Sequence, residues 1–225
     1  MTTKLSTCKI YPDLAQAMNK IVRKIDFYLQ DNDYNGPPIN MYLAGGMAVN
    51  YYCGTRYTED VDASFSRRII FSSEEIVASY VRPNGKSSFI YLDKNYNPTF
   101  ALMHENFEED CWPWNFDDHQ TETISLRILS PVDLAVSKIA RFSEQDRQDI
   151  KALAIEKLFT ESDLRHRAED ALLNYVGNLL SVKNSLSMAC HDVARILDQS
   201  PLSRSLSKPK SASSTEPGQL SDLAP

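Results

Sequence analysis

The chain is poor in the features that would mark several common classes. Its four cysteines, Cys8, Cys53, Cys111 and Cys190, are scattered and form no CxxC pair, so neither a thiolate zinc site nor a disulfide framework is suggested and a reducing compartment fits best. Positive charge is not in excess: 24 Lys and Arg stand against 30 Asp and Glu, a formal net charge of -6. Broad nucleic-acid binding needs clustered Lys and Arg, which leaves room only for a local basic groove. No apolar run approaches the roughly 20 residues of a membrane-spanning helix, and the opening MTTKLSTCKIYPDLAQ carries no long apolar core. The expectation is a cytoplasmic protein without membrane contact. What remains is ordinary globular material, with 42% hydrophobic and 24% charged residues in 225, enough for one sizeable domain with a helical appendage.

From Pro12, Leu14, Met18, Ile21, Val22, Ile25 and Leu29 recur at helical spacing until DNDYNGPP stops the pattern. A short apolar and aromatic run from Ile39 then ends at Gly45-Gly46, and MAVNYY follows up to Gly54, which reads as strand, glycine turn, helix. Between Thr58 and Phe65 polar and apolar residues alternate, so Asp60 and Asp62 share one face of a strand. A serine-capped helix is expected at Ser72, and strands at SSFIYLD, TFALMHEN and TISLRIL, with YNP and DDHQ as breakers. Ser130-Pro131 opens a helical part: one helix with Val132, Ala135, Val136, Ile139 and Ala140 on its apolar face, a second from a capping box at Ser143, a third over 163–176 and a fourth over 184–197. The fold class expected is α/β (α+β), a small mixed sheet flanked by helices. Residues 1–130 form its core, 131–198 a helical part completing a cleft, and 199–225, rich in Ser and Pro, a disordered tail.

Chemistry concentrates in AGGMAVNYYCGTRYTEDVDASF. A glycine pair at a helix start lets backbone approach phosphate oxygens and presents N–H groups to them. Two carboxylates at i and i+2 on a strand sit side by side, the oxygen donors that magnesium wants when a triphosphate's charge must be neutralised. Each feature alone is common in turns and on solvated strand faces. Their succession raises phosphoryl transfer above that plainer reading.

LAGGMA followed by TEDVDA resembles the signature of the nucleotidyltransferase fold shared with DNA polymerase beta. The later SPVDLAVSKIARFSEQDRQDI resembles the downstream motif of bacterial AbiEii-type nucleotidyltransferases, toxins of type IV toxin-antitoxin systems. The resemblance spans about 42–155 and implies transfer of a nucleoside monophosphate from an NTP, with Mg2+, to an acceptor such as a tRNA 3' end, an RNA or a protein hydroxyl, with a cognate antitoxin as a partner. It implies that Gly45 and Gly46 contact phosphates, Asp60 and Asp62 bind magnesium, Lys138 meets the triphosphate, and Asp146 or Asp149 positions or deprotonates the attacking hydroxyl. The fold often has a third carboxylate on a later strand, for which Glu105 and Asp110 are the candidates, and Met47 stands where many members have serine.

Plainer roles compete for several of these residues. Asp146 falls at the N3 position of the Ser143 capping box; Lys138 and Arg141 could form a phosphate-facing pair or a solvated basic face; and Asp149 could pair with Arg147 or Lys151 at the surface. His104 and Glu105, adjacent on an expected strand, would point to opposite faces. Trp112 and Trp114 could stack on a base, or more commonly pack on a core, and His119, His166 and His191 lack metal-ligand spacing. Arg56, Arg67, Arg68 and Arg82 could line a groove. Two other functions share the fold: a non-catalytic nucleotide- or partner-binding module, and a small-molecule nucleotidyltransferase acting on an antibiotic such as an aminoglycoside.

Overall fold

In the computed structural model, which describes residues 8–71, 76–115 and 121–199, helix α1 (Pro12–Asp31) begins at Pro12, whose missing N–H costs nothing at a helix start. All six residues of its predicted apolar stripe are buried. That stripe covers the strands. β1 (Ile39–Leu43) runs down the middle of a four-stranded sheet of order β3-β1-β7-β6, parallel to β7 (Ile124–Ile128) and antiparallel to β3 (Ala63–Phe65). β6 (Trp112–Pro113) closes the edge beside β7. A second sheet has the order β2-β5-β4, with β2 (Asp60–Val61) parallel to β5 (Ser87–Leu92) and β4 (Val77–Val81) antiparallel to it.

The segment 58–65, expected as one strand, is thus two. β2 belongs to one sheet and β3 to the other, and the chain crosses between them at Asp62, whose carbonyl accepts a 2.9 Å hydrogen bond from the Ala44 N–H. Burial still alternates through the crossing, with Val61 and Ala63 inside and Asp60 and Asp62 half-buried. α2 (Gly45–Cys53) leaves the end of β1 and stops at Gly54, which takes a left-handed φ of 68°.

The strand expected at TFALMHEN does not form. Pro98 removes a ladder donor, and Asn97 caps a 3-10 turn over Pro98–Phe100 by accepting from the Thr99 N–H at 3.0 Å. Further on, His104 Nδ1 accepts from the Asn106 N–H at 3.1 Å, turning the chain at Glu105, so the opposite-face argument for that pair falls away.

The helical part begins as expected but is cut differently. α3 (Pro131–Val136) is capped by Ser130 and ends before Ile139, because the next N–H groups bond three residues back rather than four: Lys138 to Ala135 at 3.2 Å and Ile139 to Val136 at 3.0 Å. Lys138 therefore lies in a tightened turn. α4 (Glu144–Ile155) starts at the Ser143 capping box, α5 (Glu161–Leu172) at a second box between Thr160 and Asp163, and α6 (Leu179–Asp198) at Asn178, earlier than the pattern suggested. α4 packs on α2 and on α6, which ties the helical part to the glycine turn. Among the described residues no helix is long and apolar enough to cross a membrane. The expected helix start at Ser72, the DDHQ breaker with His119, and the tail beyond Gln199 lie outside the described residues.

Candidate active site

The ends of β1, β2 and β5 meet the turn after α3 around a pocket of about 400 Å³. One wall is acidic. Asp60 ends the polar face of β2, Asp62 follows at the crossing between sheets, and Asp93 comes just after β5, held alongside β2 by a 3.1 Å bond from its N–H to the Val61 carbonyl. Thr58 Oγ1 donates to Asp60 Oδ1 and orients that carboxylate. Burial, and then the charges of Asp60 and Asp93, push the Asp62 carboxyl up to about 6, with Lys138 and Arg56 pulling the other way.

Gly45 explains how Asp62 comes so close to a helix start. Its φ is +58°, and a Cβ built there would lie 1.7 Å from Asp62 Oδ2. A side chain at 45 would be strained by its backbone and would displace the carboxylate. At Gly46 a Cβ would crowd Arg56 Nε and Thr58 Cβ, both at 3.0 Å. Ala44, the N-cap of α2, supplies no side-chain cap, so the first turn of this helix is left to be satisfied by something else.

The facing wall is cationic. Lys138 is buried, with Nζ 2.8 Å from Asp149 Oδ2, and Arg56 donates from Nη1 to the same oxygen. Asp149 is thus an internal counter-ion for both, with Gln145 Nε2 donating to its other oxygen at 3.1 Å. The surface pairing with Arg147 or Lys151 does not occur; both of those reach Asp192 on α6, at 2.5 and 3.4 Å. Arg141 extends over the pocket and forks onto Asp146 at 2.7 and 2.6 Å.

Asp146 is wholly buried. Its Oδ2 also accepts from the Ser143 N–H at 3.0 Å and the Ser143 hydroxyl at 2.7 Å. Burial alone would raise its pKa, but the Arg141 fork and the two Ser143 bonds outweigh that and hold the carboxyl at about 2. A carboxylate so engaged is a poor proton acceptor at neutral pH, and its geometry is that of a group that holds Arg141 in place.

The remaining candidates lie elsewhere. Glu105 is exposed and accepts from Asn174 Nδ2 at 3.2 Å, and Asp110 pairs with Arg167 at 2.6 Å; neither lines the pocket. Asp93, which is not among the candidates, lines the pocket with Asp60 and Asp62. Trp112 packs edge-on against Tyr52, and Trp114 lies 4.8 Å from Tyr51 while its Nε1 donates to Asn19 Oδ1 at 3.1 Å, so both belong to the core. His104 is buried at the Asn106 turn, His166 lies 3.4 Å from Ser162 Oγ, and His191 is exposed on α6. Of the four arginines expected to line one groove, Arg56 reaches the pocket. Arg82 stacks 5.7 Å from the Tyr57 ring and donates to Ser88 at 2.9 Å, while Arg67 and Arg68 are exposed after β3.

Among the described residues no three His, Cys, Asp or Glu groups converge as a complete metal cage. The donor set nonetheless suits magnesium, which keeps several waters and binds through one or two carboxylates plus substrate phosphates. Asp60 and Asp62 are such a pair, with Asp93 as a third carboxylate lining the same pocket.

No curated protein matches the chain. A solved structure similar to it is that of an antigenic nucleotidyltransferase-like protein from Paracoccidioides brasiliensis, 16% identical, covering 76% of this chain and 94% of that one with a TM-score of 0.37. A family model described as "Nucleotidyltransferase of unknown function (DUF6036)" matches residues 15–198, a stretch that holds the glycine turn, both walls of the pocket and, apart from the first three residues of α1, the six α-helices of the described residues, and the chain belongs to that family.

Proposed function

We propose that the chain is a magnesium-dependent nucleotidyltransferase that moves a nucleoside monophosphate from an NTP to a hydroxyl of an RNA, such as a tRNA 3' end, or of a protein. The observation that carries this reading is one pocket in which an uncapped Gly45-Gly46 helix start, an acidic wall and a cationic wall face one another. Phosphoryl transfer is mostly positioning and charge stabilisation; the helix start and the cationic wall suit the triphosphate, and the acidic wall suits magnesium.

In this reading Asp60 and Asp62 hold the magnesium, which supplies charge neutralisation at the phosphates when bound. Lys138, Arg56 and Arg141 meet the triphosphate from the other side, and Asp149 and Asp146 position them. The acceptor oxygen attacks the α-phosphorus, forming a new P–O bond as the bond to the α–β bridging oxygen breaks. The electron pair leaves with pyrophosphate. Asp93 orients the hydroxyl and takes its proton. The motif resemblance to AbiEii-type toxins supports a toxin role with an antitoxin partner, and the same resemblance supports an RNA acceptor.

A second reading rests on the acidic wall itself. Three carboxylates at one edge also suit a cationic small molecule, such as an amino sugar, as the hydroxyl acceptor. Label from each NTP, with magnesium, is followed into total RNA, protein and small molecules for the wild-type chain and Asp62→Ala. Label in RNA or protein that disappears in the variant is the expected result. Label confined to small molecules selects the second reading, and NTP binding without label in any fraction overturns transfer altogether.

A further inference from the structure

Beyond its phosphate and metal walls the pocket has a third side. After Asp93 the chain runs through Asn95, Tyr96 and Asn97 into the 3-10 turn that ends at Phe100, and all four residues line the pocket. Phe100 is 81% exposed. A single exposed apolar residue is normal on any surface, but this one sits on a turn fixed at its start, by Pro98 and by Asn97 Oδ1, which accepts from the Thr99 N–H at 3.0 Å and the Thr99 hydroxyl at 2.8 Å. The ring lines the pocket and is open to solvent.

A nucleotide has one highly charged end and one flat end with apolar faces. The pocket repeats that division. Gly45, Gly46, Arg56, Lys138 and Arg141 lie where charge is handled, while the aromatic rings in its lining belong to Tyr96 and Phe100. Tyr96 is packed against the core and half-buried, which leaves the Phe100 ring as the surface open to stacking. Asn95 lines the same pocket, exposed, with its backbone N–H fixed on Asp93 Oδ1 at 2.9 Å. An amide side chain offers both a donor and an acceptor to a base edge.

Resting on the nucleotidyltransferase reading of this pocket, we propose that the turn 95–100 is the nucleobase subsite. Phe100 is its stacking platform, and the Asn95 amide contacts the edge of the base. Because stacking tolerates every base and an Asn amide can present either polarity, this subsite binds all four NTPs and favours purines through their larger ring area.

The test measures binding of the four NTPs and of inorganic tripolyphosphate, with magnesium, to the full chain and to Phe100→Ala, Phe100→Tyr and Asn95→Ala. Tripolyphosphate lacks a base, so it reports the charged walls alone. Phe100→Ala is expected to weaken NTP binding roughly tenfold, as the loss of one stacked base implies, purines more than pyrimidines, with tripolyphosphate binding and the melting temperature unchanged. Phe100→Tyr should restore NTP binding, and Asn95→Ala should weaken it less than Phe100→Ala does. Equal losses for NTP and tripolyphosphate, unchanged NTP binding in Phe100→Ala, or wild-type binding of NTP no tighter than of tripolyphosphate would each overturn the subsite. A selective loss of NTP in a chain that transfers no label would keep the subsite and discard the transfer reaction.

Discussion

Asp62 and Asp133 are both acids withdrawn from water, and the chain treats them in opposite ways. Asp133, at the start of α3, accepts from Ser130 Oγ at 2.6 Å and from Arg167 Nε and Nη2 at 2.7 and 2.9 Å, so its charge is met on every side. Asp62 sits beside Asp60 and Asp93, with cations only across the pocket, and burial together with those two like charges raises its carboxyl to about 6. Folding alone gains nothing from the second arrangement. Asp133 is given partners while Asp62 is given like charges, and by this measure Asp146 and Asp149 fall with Asp133 despite lining or bordering the pocket.

The comparison is broken most forcefully at Asp149. Asp149→Ala leaves Lys138 and Arg56 without their shared counter-ion in a buried place, and the expected loss is about 3–5 kcal/mol of stability, read by denaturant unfolding. A smaller effect is expected at Asp146. Its folded pKa of about 2 lies below the ordinary 3.8, so the unfolded chain takes up the proton first as pH falls. The stability it contributes, on the order of 2 kcal/mol, is fully present above about pH 5 and is lost as pH drops through about 2. Asp146→Asn should flatten that part of the stability profile between pH 5 and 2 relative to wild type. The smallest effect has the opposite sign: Asp62→Asn, which removes the like charge beside Asp60 and Asp93, should stabilise the chain at pH 7 by about 1 kcal/mol while abolishing transfer. A loss of stability there would place Asp62 with the structural acids.

Local rules made much of this legible. The α1 stripe, the glycine turn and the Ser143 capping box each depend on residues within a few positions, and each formed where the spacing said. Gly45 and Asp62 were legible as partners in chemistry, though the reason for Gly45 is more physical than expected: its hydrogen is what lets Asp62 approach. What stayed hidden was non-local. Asp93 ends an unremarkable SSFIYLD, and only the parallel pairing of β5 with β2, which no periodicity reports, brings it beside Asp62. The signal available was an acid at the C-terminal end of an apolar run, followed at once by a breaker. The pairing of Lys138 with Asp149 was hidden for a similar reason, since α3 stops early and turns the lysine inward instead of leaving it on a helix surface. The TFALMHEN strand does not form because Pro98 and the Asn97 cap turn the chain at its first residues.

In the proposed function the acidic wall of Asp60, Asp62 and Asp93 performs the transfer, and Glu105 and Asp110 have no part in it. Label transfer from NTP, measured side by side for Asp93→Asn and for Glu105→Gln with Asp110→Asn, tests this most directly. The account predicts that Asp93→Asn loses transfer by about three orders of magnitude, some 4 kcal/mol in the barrier, while the double variant keeps it within a few-fold. Transfer that survives Asp93→Asn and disappears in the double variant would contradict it.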